Sequence, residues 1–204
     1  MATTNNVYVV DDDDAVRGGL QFLLKSAGYA ASVYESAVHF LAAAASVEPG
    51  CVVTDVRMPD MDGVELVRRL AAASSPHHVI VMTGHGDVQL AVEAMKAGAV
   101  DFLEKPFKDE VLLRAIDAAL EVGERTLHLR ANQARFAELL SRLTPREQQV
   151  LDGVVSGKMN KMIAFDLGIS ERTVEVYRAN IMHKSGASSL SELVRMALLS
   201  GRTG

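Results

Sequence analysis

Four aspartates in succession, Asp11 to Asp14, follow the apolar run Val7-Tyr8-Val9-Val10 near the start of a 204-residue chain. Three more polar groups stand at the ends of other apolar runs: Asp55 after Cys51-Val52-Val53-Thr54, Thr83 after Val79-Ile80-Val81-Met82, and Lys105 just before Pro106. Adjacent carboxylates repel, and a buried one is costly unless a cation or hydrogen bonds offset it. Taken together these residues form a chemical set. Adjacent acids hold a hard cation such as Mg²⁺ through oxygen. A third carboxylate can ligate that cation and attack phosphorus as a nucleophile. A hydroxyl and an ammonium can bind the equatorial oxygens of a transferring phosphoryl group. Taken singly each has an ordinary reading, since Asp after a strand starts turns and caps helices and Thr83-Gly84 makes a plain turn.

For these groups to meet, the elements that carry them must converge. Up to about Leu120, short apolar runs alternate with helix-length amphipathic stretches. Val7–Val10, Ala30–Tyr34, Cys51–Thr54, Val79–Met82 and Val100–Leu103 read as strands. Ala15–Ser26, a stretch capped by Ser36 and reaching Ala45, Val64–Ala73, a stretch capped by Asp87 and ending at Gly98, and a stretch from Asp109 read as helices. Five βα units predict an α/β fold, a parallel sheet with helices on both faces. Continuous apolar runs fit strands buried on both sides. Ligands of such sheets bind beyond the carboxyl ends of the strands. In the order 2-1-3-4-5, strands 1, 3, 4 and 5 are neighbours, so Asp11, Asp12, Asp55, Thr83 and Lys105 come together.

The stretches VVDDDDAVR, VVTDVRMPDMDGVEL and VIVMTGHGDVQLAVEAMKAGAVDFLEKPF resemble response-regulator receiver domains over roughly residues 5–120, and most closely those of the FixJ subfamily. The resemblance implies a flavodoxin-like (βα)5 fold and assigns roles. Asp55 is the phosphoacceptor, with Thr83 the switch hydroxyl and Lys105 the phosphate-binding lysine. Asp12 is a direct Mg²⁺ ligand, Asp11 acts through water, and Asp55 and the backbone carbonyl of Arg57 complete the protein ligands. The Lys105–Pro106 bond is expected to be cis, the one kind of bond where cis is cheap. Phe102 occupies the switch-aromatic position, where many receivers carry tyrosine, so an argument needing that hydroxyl does not apply. Phosphorylation then draws Thr83 inward, Phe102 follows, and the surface of the fourth helix, fifth strand and fifth helix changes. In the family that surface commonly dimerises.

Charge divides the chain. Residues 1–124 carry 19 acidic and 9 basic side chains, a net of −10, and residues 125–204 carry 7 acidic and 12 basic, a net of +5. A cation suits the first part and a polyanion the second. The expected domains are 1–122, a helical linker over 123–143 with Gly123 as its weak point, and 144–204. The last part shows four short helix patterns. Thr144-Pro145 with Glu147 starts one that Gly157 ends, Asn160–Leu167 forms the next, Ser170 caps a third over Glu171–Lys184, and Ser189 or Ser191 opens a fourth. Two short helices about the Gly168 turn make a helix-turn-helix pattern.

LTPREQQVL, the NK-IA–LGIS stretch and RTVEVYRANIM resemble the LuxR/FixJ-type DNA-binding domain, an all-α four-helix unit. On the third helix Val174, Tyr177, Arg178 and Ile181 share one face, with Val174 and Ile181 expected inward. Arg172, Thr173, Glu175, Val176, Ala179 and His183 are the candidates for the major groove. Arg172 suits phosphate or guanine, Glu175 a cytosine amine and Val176 a thymine methyl. Lys158, Lys161 and Lys184 are candidate phosphate contacts. The family usually has leucine or methionine after the lysine matching Lys184. Ser185-Gly186 here predicts a third helix that ends early or packs loosely.

These resemblances imply a transcription regulator of a two-component system, an activator of FixJ type that is not an enzyme beyond chemistry on itself. Its implied partners are a sensor histidine kinase, promoter DNA, RNA polymerase and a second copy when phosphorylated. They extend to nitrogen-fixation or microaerobic genes. The 49% hydrophobic content supplies ample core. No apolar run approaches the ~20 residues of a membrane helix, and the start MATTNN has no secretory pattern. A single cysteine, Cys51, fits a reducing cytoplasm. Two other readings compete. A haloacid-dehalogenase-type phosphatase needs D-x-D on its first strand, which Asp11–Asp13 or Asp12–Asp14 supplies, but the TDVRMPDMDG stretch and the helix-turn-helix argue against it. A binding-only phosphate sink needs no DNA contact.

Overall fold

The structure is a computed structural model, and it describes residues 5–84 and 88–201. Five strands, β1 (Asn6–Val10), β2 (Ala30–Tyr34), β3 (Cys51–Asp55), β4 (His78–Thr83) and β5 (Asp101–Glu104), lie in the order β2-β1-β3-β4-β5. Every neighbouring pair is parallel. The apolar runs are long because both faces are covered. Tyr8, Val10, Val52, Val79 and Val81 pack against Phe40 of α2 (Ala37–Ala43), Leu66 and Val67 of α3 (Gly63–Ala72) and Ala94 of α4 (Val88–Ala97). The alternate residues Val7, Val9, Cys51, Val53, Ile80 and Met82 pack against Leu24 of α1 (Asp14–Ser26) and against Leu112, Ile116 and Ala119 of α5 (Asp109–Ser141). Cys51 is fully buried, and burial pushes its thiol well above the ordinary range, which makes it inert.

The aspartate run divides at the start of α1. Asp13 is the N-cap, accepting from the backbone N–H groups of Ala15 at 2.8 Å and Val16 at 3.2 Å. Asp14 is the first helical residue, fully in solvent, beside Arg17. Asp13→Ala will therefore cost about 1 kcal/mol in urea denaturation. Asp14→Asn will cost less than about 0.5 kcal/mol, and equal losses would contradict the assignment. Ser36 caps α2 as expected. The expected cap Asp87 lies outside the described residues.

The chain forms two compact units that divide between Leu127 and His128. α5 runs unbroken through Gly123, which is buried. A Cβ there would stand 2.9 Å from Cδ2 of His78. The glycine that weakens the helix by propensity is the one that lets it lie against the start of β4. Within the segment expected as a linker, Leu140 and Leu143 belong to the core of the second unit, with Phe136 and Leu139 against them.

The second unit holds α6 (Pro145–Val155), α7 (Asn160–Leu167), α8 (Glu171–Ser185) and α9 (Leu190–Leu199), around Val150, Leu151, Ile163, Val174, Ile181, Leu193 and Met196. Thr144 and Glu147 form a capping box at α6, with Pro145 in its first turn. Ser170 caps α8 and Ser189 caps α9. α8 does not end early. It continues through Ser185, and Gly186 at φ 68° closes it as a left-handed C-cap. Ser185 is 2% exposed, and its hydroxyl donates to the Met182 carbonyl at 3.3 Å. A small polar residue is tolerated there because the preceding turn satisfies it. Among the described residues no helix is long and apolar enough to cross a membrane.

Candidate functional site

Asp11 directly follows β1, Asp55 ends β3, Thr83 ends β4, and Lys105 directly follows β5. The parallel sheet brings all four to its carboxyl edge. Lys105 Nζ lies 2.7 Å from Asp55 Oδ1 and 3.1 Å from Asp11 Oδ2. The backbone N–H of Lys105 donates to the Thr83 carbonyl at 2.7 Å, and the Lys105–Pro106 bond is cis. The second oxygen of each carboxylate accepts a backbone donor: Asp55 Oδ2 from Arg57 at 2.7 Å, and Asp11 Oδ1 from Asp13 at 2.9 Å. Thus two largely buried acids, with side chains 3% (Asp11) and 14% (Asp55) exposed, share one ammonium. Burial alone would push Lys105 down, but its hydrogen bonds to Asp55 and Asp11 outweigh it and hold its pKa above the ordinary lysine value. The ammonium therefore stays charged throughout the physiological range.

Asp55 presents a carboxylate oriented from both sides, one oxygen on a cation and one on a backbone amide. That suits a nucleophile, because its position is set before any substrate arrives. Thr83 is buried at 1% exposure, and Phe102 is partly buried against the sheet face covered by α2, α3 and α4. Asp12 is exposed, and among the described residues no three His, Cys, Asp or Glu side chains gather as a metal cluster. The donor chemistry of Asp11, Asp12 and Asp55, hard carboxylate oxygens, fits Mg²⁺. As the side chains stand, Lys105 occupies the position between Asp11 and Asp55.

In the second unit α8 separates its faces as its spacing predicts. Val174 and Ile181 are fully buried. Arg172, Glu175, Val176, Ala179 and His183 are exposed. Arg178 is half-buried and donates to Asn160 Oδ1 at 2.6 Å. Thr173 is half-buried, its hydroxyl 2.8 Å from that of the cap Ser170. The three lysines differ. Lys161 is exposed, Lys158 pairs with Asp166 at 2.7 Å, and Lys184 pairs with the buried Glu147 at 2.8 Å.

A family model described as the response regulator receiver domain matches residues 7–117, and one described as bacterial regulatory proteins of the luxR family matches residues 141–197. The chain is 51% identical to the transcriptional regulatory protein FixJ of Bradyrhizobium diazoefficiens, over 98% of each chain. It is 55% identical to the FixJ of Azorhizobium caulinodans, over 96% of this chain and 92% of that one. The chain belongs to the FixJ subfamily of response regulators. A crystal structure of full-length FixJ from B. japonicum superposes with a TM-score of 0.61 at 50% identity, covering all of both chains. As a FixJ-type regulator the chain joins a receiver to a luxR-type DNA-binding domain. It is thus a transcriptional regulator of the two-component kind, in which the receiver implies a partner histidine kinase.

Two residues of this FixJ-type receiver support the site without carrying chemistry, and reading by residue type passed over both. Arg17 reaches back from α1 to donate to the Asp11 carbonyl at 2.7 Å. Gly63 opens α3 so close to β3 that an added Cβ would stand 2.3 Å from the Asp55 carbonyl oxygen. The signal for Gly63 lay in MPDMDG, where an aspartate N-cap precedes a glycine at the helix start. Nothing local in the sequence pointed to Arg17.

Proposed function

We propose that phosphoryl transfer from a histidine kinase to Asp55 switches this regulator into a form that binds promoter DNA more tightly. The bridge that Lys105 makes between Asp55 and Asp11 carries the reading. Attack by Asp55 forms a P–O bond as the donor's P–N bond breaks. A phosphoryl group on Asp55 brings two or nearly two negative charges, and Lys105 and Thr83 are the groups to meet them. Asp11, Asp12, Asp55 and the Arg57 carbonyl would hold Mg²⁺, which supplies charge neutralisation for the transfer. Because Lys105 already contacts two of these carboxylates, its release from Asp11 is part of the switch. Thr83 and Phe102 then carry the change to α4, β5 and α5, and a second copy pairs there.

In the second unit Arg172, Glu175, Val176, Ala179 and His183 face the major groove, with Thr173 at the edge and Lys158 and Lys161 at phosphates. The reading extends to a cytoplasmic activator that recruits RNA polymerase. The FixJ resemblance extends the reading to nitrogen-fixation or microaerobic genes. Anisotropy titration of promoter DNA tests the switch. Acetyl phosphate with Mg²⁺ is expected to tighten binding about ten-fold and to raise the dimer fraction in sedimentation. Equal affinity with and without the donor would sink the proposal.

A further inference from the structure

Among the described residues of the second unit, Glu147 is the only buried charged side chain, at 2% exposure. Its Oε2 accepts from three donors: the backbone N–H of Thr144 at 2.7 Å, the Thr144 hydroxyl at 2.9 Å and Lys184 Nζ at 2.8 Å. The first belongs to the capping box that starts α6. The last comes from the final turn of α8, 37 residues away. Burial pushes the Glu147 carboxyl up, but Lys184 and the Thr144 donors outweigh it and hold it below the usual carboxylate range. The pair's contribution is thus complete above about pH 5 and is lost as pH falls through the lowered folded value.

Val174 and Ile181 anchor α8 to the core on one side. At its C-terminal end Met182 packs against the same core and Ser185 is buried, but Ser185 brings no large side chain and Gly186 ends the helix, so the Lys184–Glu147 pair adds a directional constraint there. A charge-assisted hydrogen bond is directional, and it supplies that constraint. Turning Lys184 away to a DNA phosphate would leave the buried Glu147 carboxylate without its cation, held by the two Thr144 donors alone, which is unfavourable.

We infer that Lys184 is a positioning residue: paired with Glu147, it fixes the C-terminal end of α8 to the start of α6, sets how the Arg172–His183 face is presented to DNA, and makes no phosphate contact itself. The inference rests on the DNA-binding reading above and deepens it.

The test uses the full chain treated with acetyl phosphate and Mg²⁺, and a mixed-sequence duplex titrated by anisotropy across a salt series. A residue that contacts phosphate contributes about one to the slope of log affinity against log salt. Lys184→Met is expected to leave that slope unchanged, to weaken binding several-fold at every salt concentration, and to lower the melting temperature by roughly 10 °C. Adding Glu147→Gln to Lys184→Met removes the stranded carboxylate and is expected to recover at least half of both losses. A slope reduced by about one with melting unchanged would overturn the inference and leave the DNA-binding reading intact. So would a Lys184→Met chain that matches the parent in all three measurements. A parent chain with no salt-dependent binding would overturn the DNA-binding reading itself, and the inference with it.

Discussion

Gly63→Ala is expected to abolish phosphorylation of Asp55 by acetyl phosphate and to destabilise the first unit by about 3 kcal/mol. The backbone at Gly63 has no unusual torsion, so the glycine is required by space alone. A Cβ would meet the Asp55 carbonyl oxygen at 2.3 Å, its carbon at 3.1 Å and Thr54 Cγ2 at 3.2 Å. Relief by moving β3 is blocked, because β3 is paired on both sides, to β1 and to β4. Relief by moving α3 breaks the bond from Gly63 N–H to the Val56 carbonyl at 3.0 Å. Either movement displaces Asp55 from Lys105, and positioning is most of what this site does. Urea denaturation and the rate of label uptake measure the two effects. An alanine variant with normal uptake and an unshifted denaturation midpoint would refute the close-packing account.

Asp55→Asn is expected to reduce covalent phosphate to background while the fold survives. The asparagine amide oxygen can still accept from the Arg57 N–H, as Asp55 Oδ2 does at 2.7 Å. Lys105 keeps Asp11 as a partner at 3.1 Å, so no buried charge is stranded. The denaturation free energy should change by less than about 1 kcal/mol. Intact mass after acetyl phosphate treatment reads the first effect. The anisotropy titration reads its consequence, a loss of the donor's effect on DNA binding. Persistent labelling of the variant would place the acceptor elsewhere. An unaltered DNA response would separate phosphorylation from the switch.

Much of the receiver could be read locally. The βα alternation depends on period and punctuation, and the observed strands begin or end within a residue of the expected ones. The aspartate run was separable from sequence for the same reason: acids at a helix start are favoured by capping and by the dipole, and Asp13 and Asp14 stand there. In the second unit, Val174 and Ile181 were legible as core by helical spacing. By contrast, the fate of Ser185-Gly186 was not. The residue pair reads as a broken helix, whereas Ser185 is buried with its hydroxyl on the Met182 carbonyl and Gly186 closes α8 as its C-cap.

By itself, then, the amino-acid order determined which groups exist and where along each element they sit: Asp55, Thr83 and Lys105 at strand ends, an acidic first part, a basic second part, and a helix with one apolar face. Those properties are local, set by backbone period and side-chain type. Tertiary structure decided which partner each charge takes. Lys105 bridges Asp11 and Asp55 across strands 94 and 50 residues apart in sequence. Lys184, equivalent by type to Lys161, is drawn to a buried carboxylate while Lys161 stays in solvent. The physical reason is that a charge's strongest interaction depends on which other charges folding removes from water beside it, and no reading along the chain contains that distance.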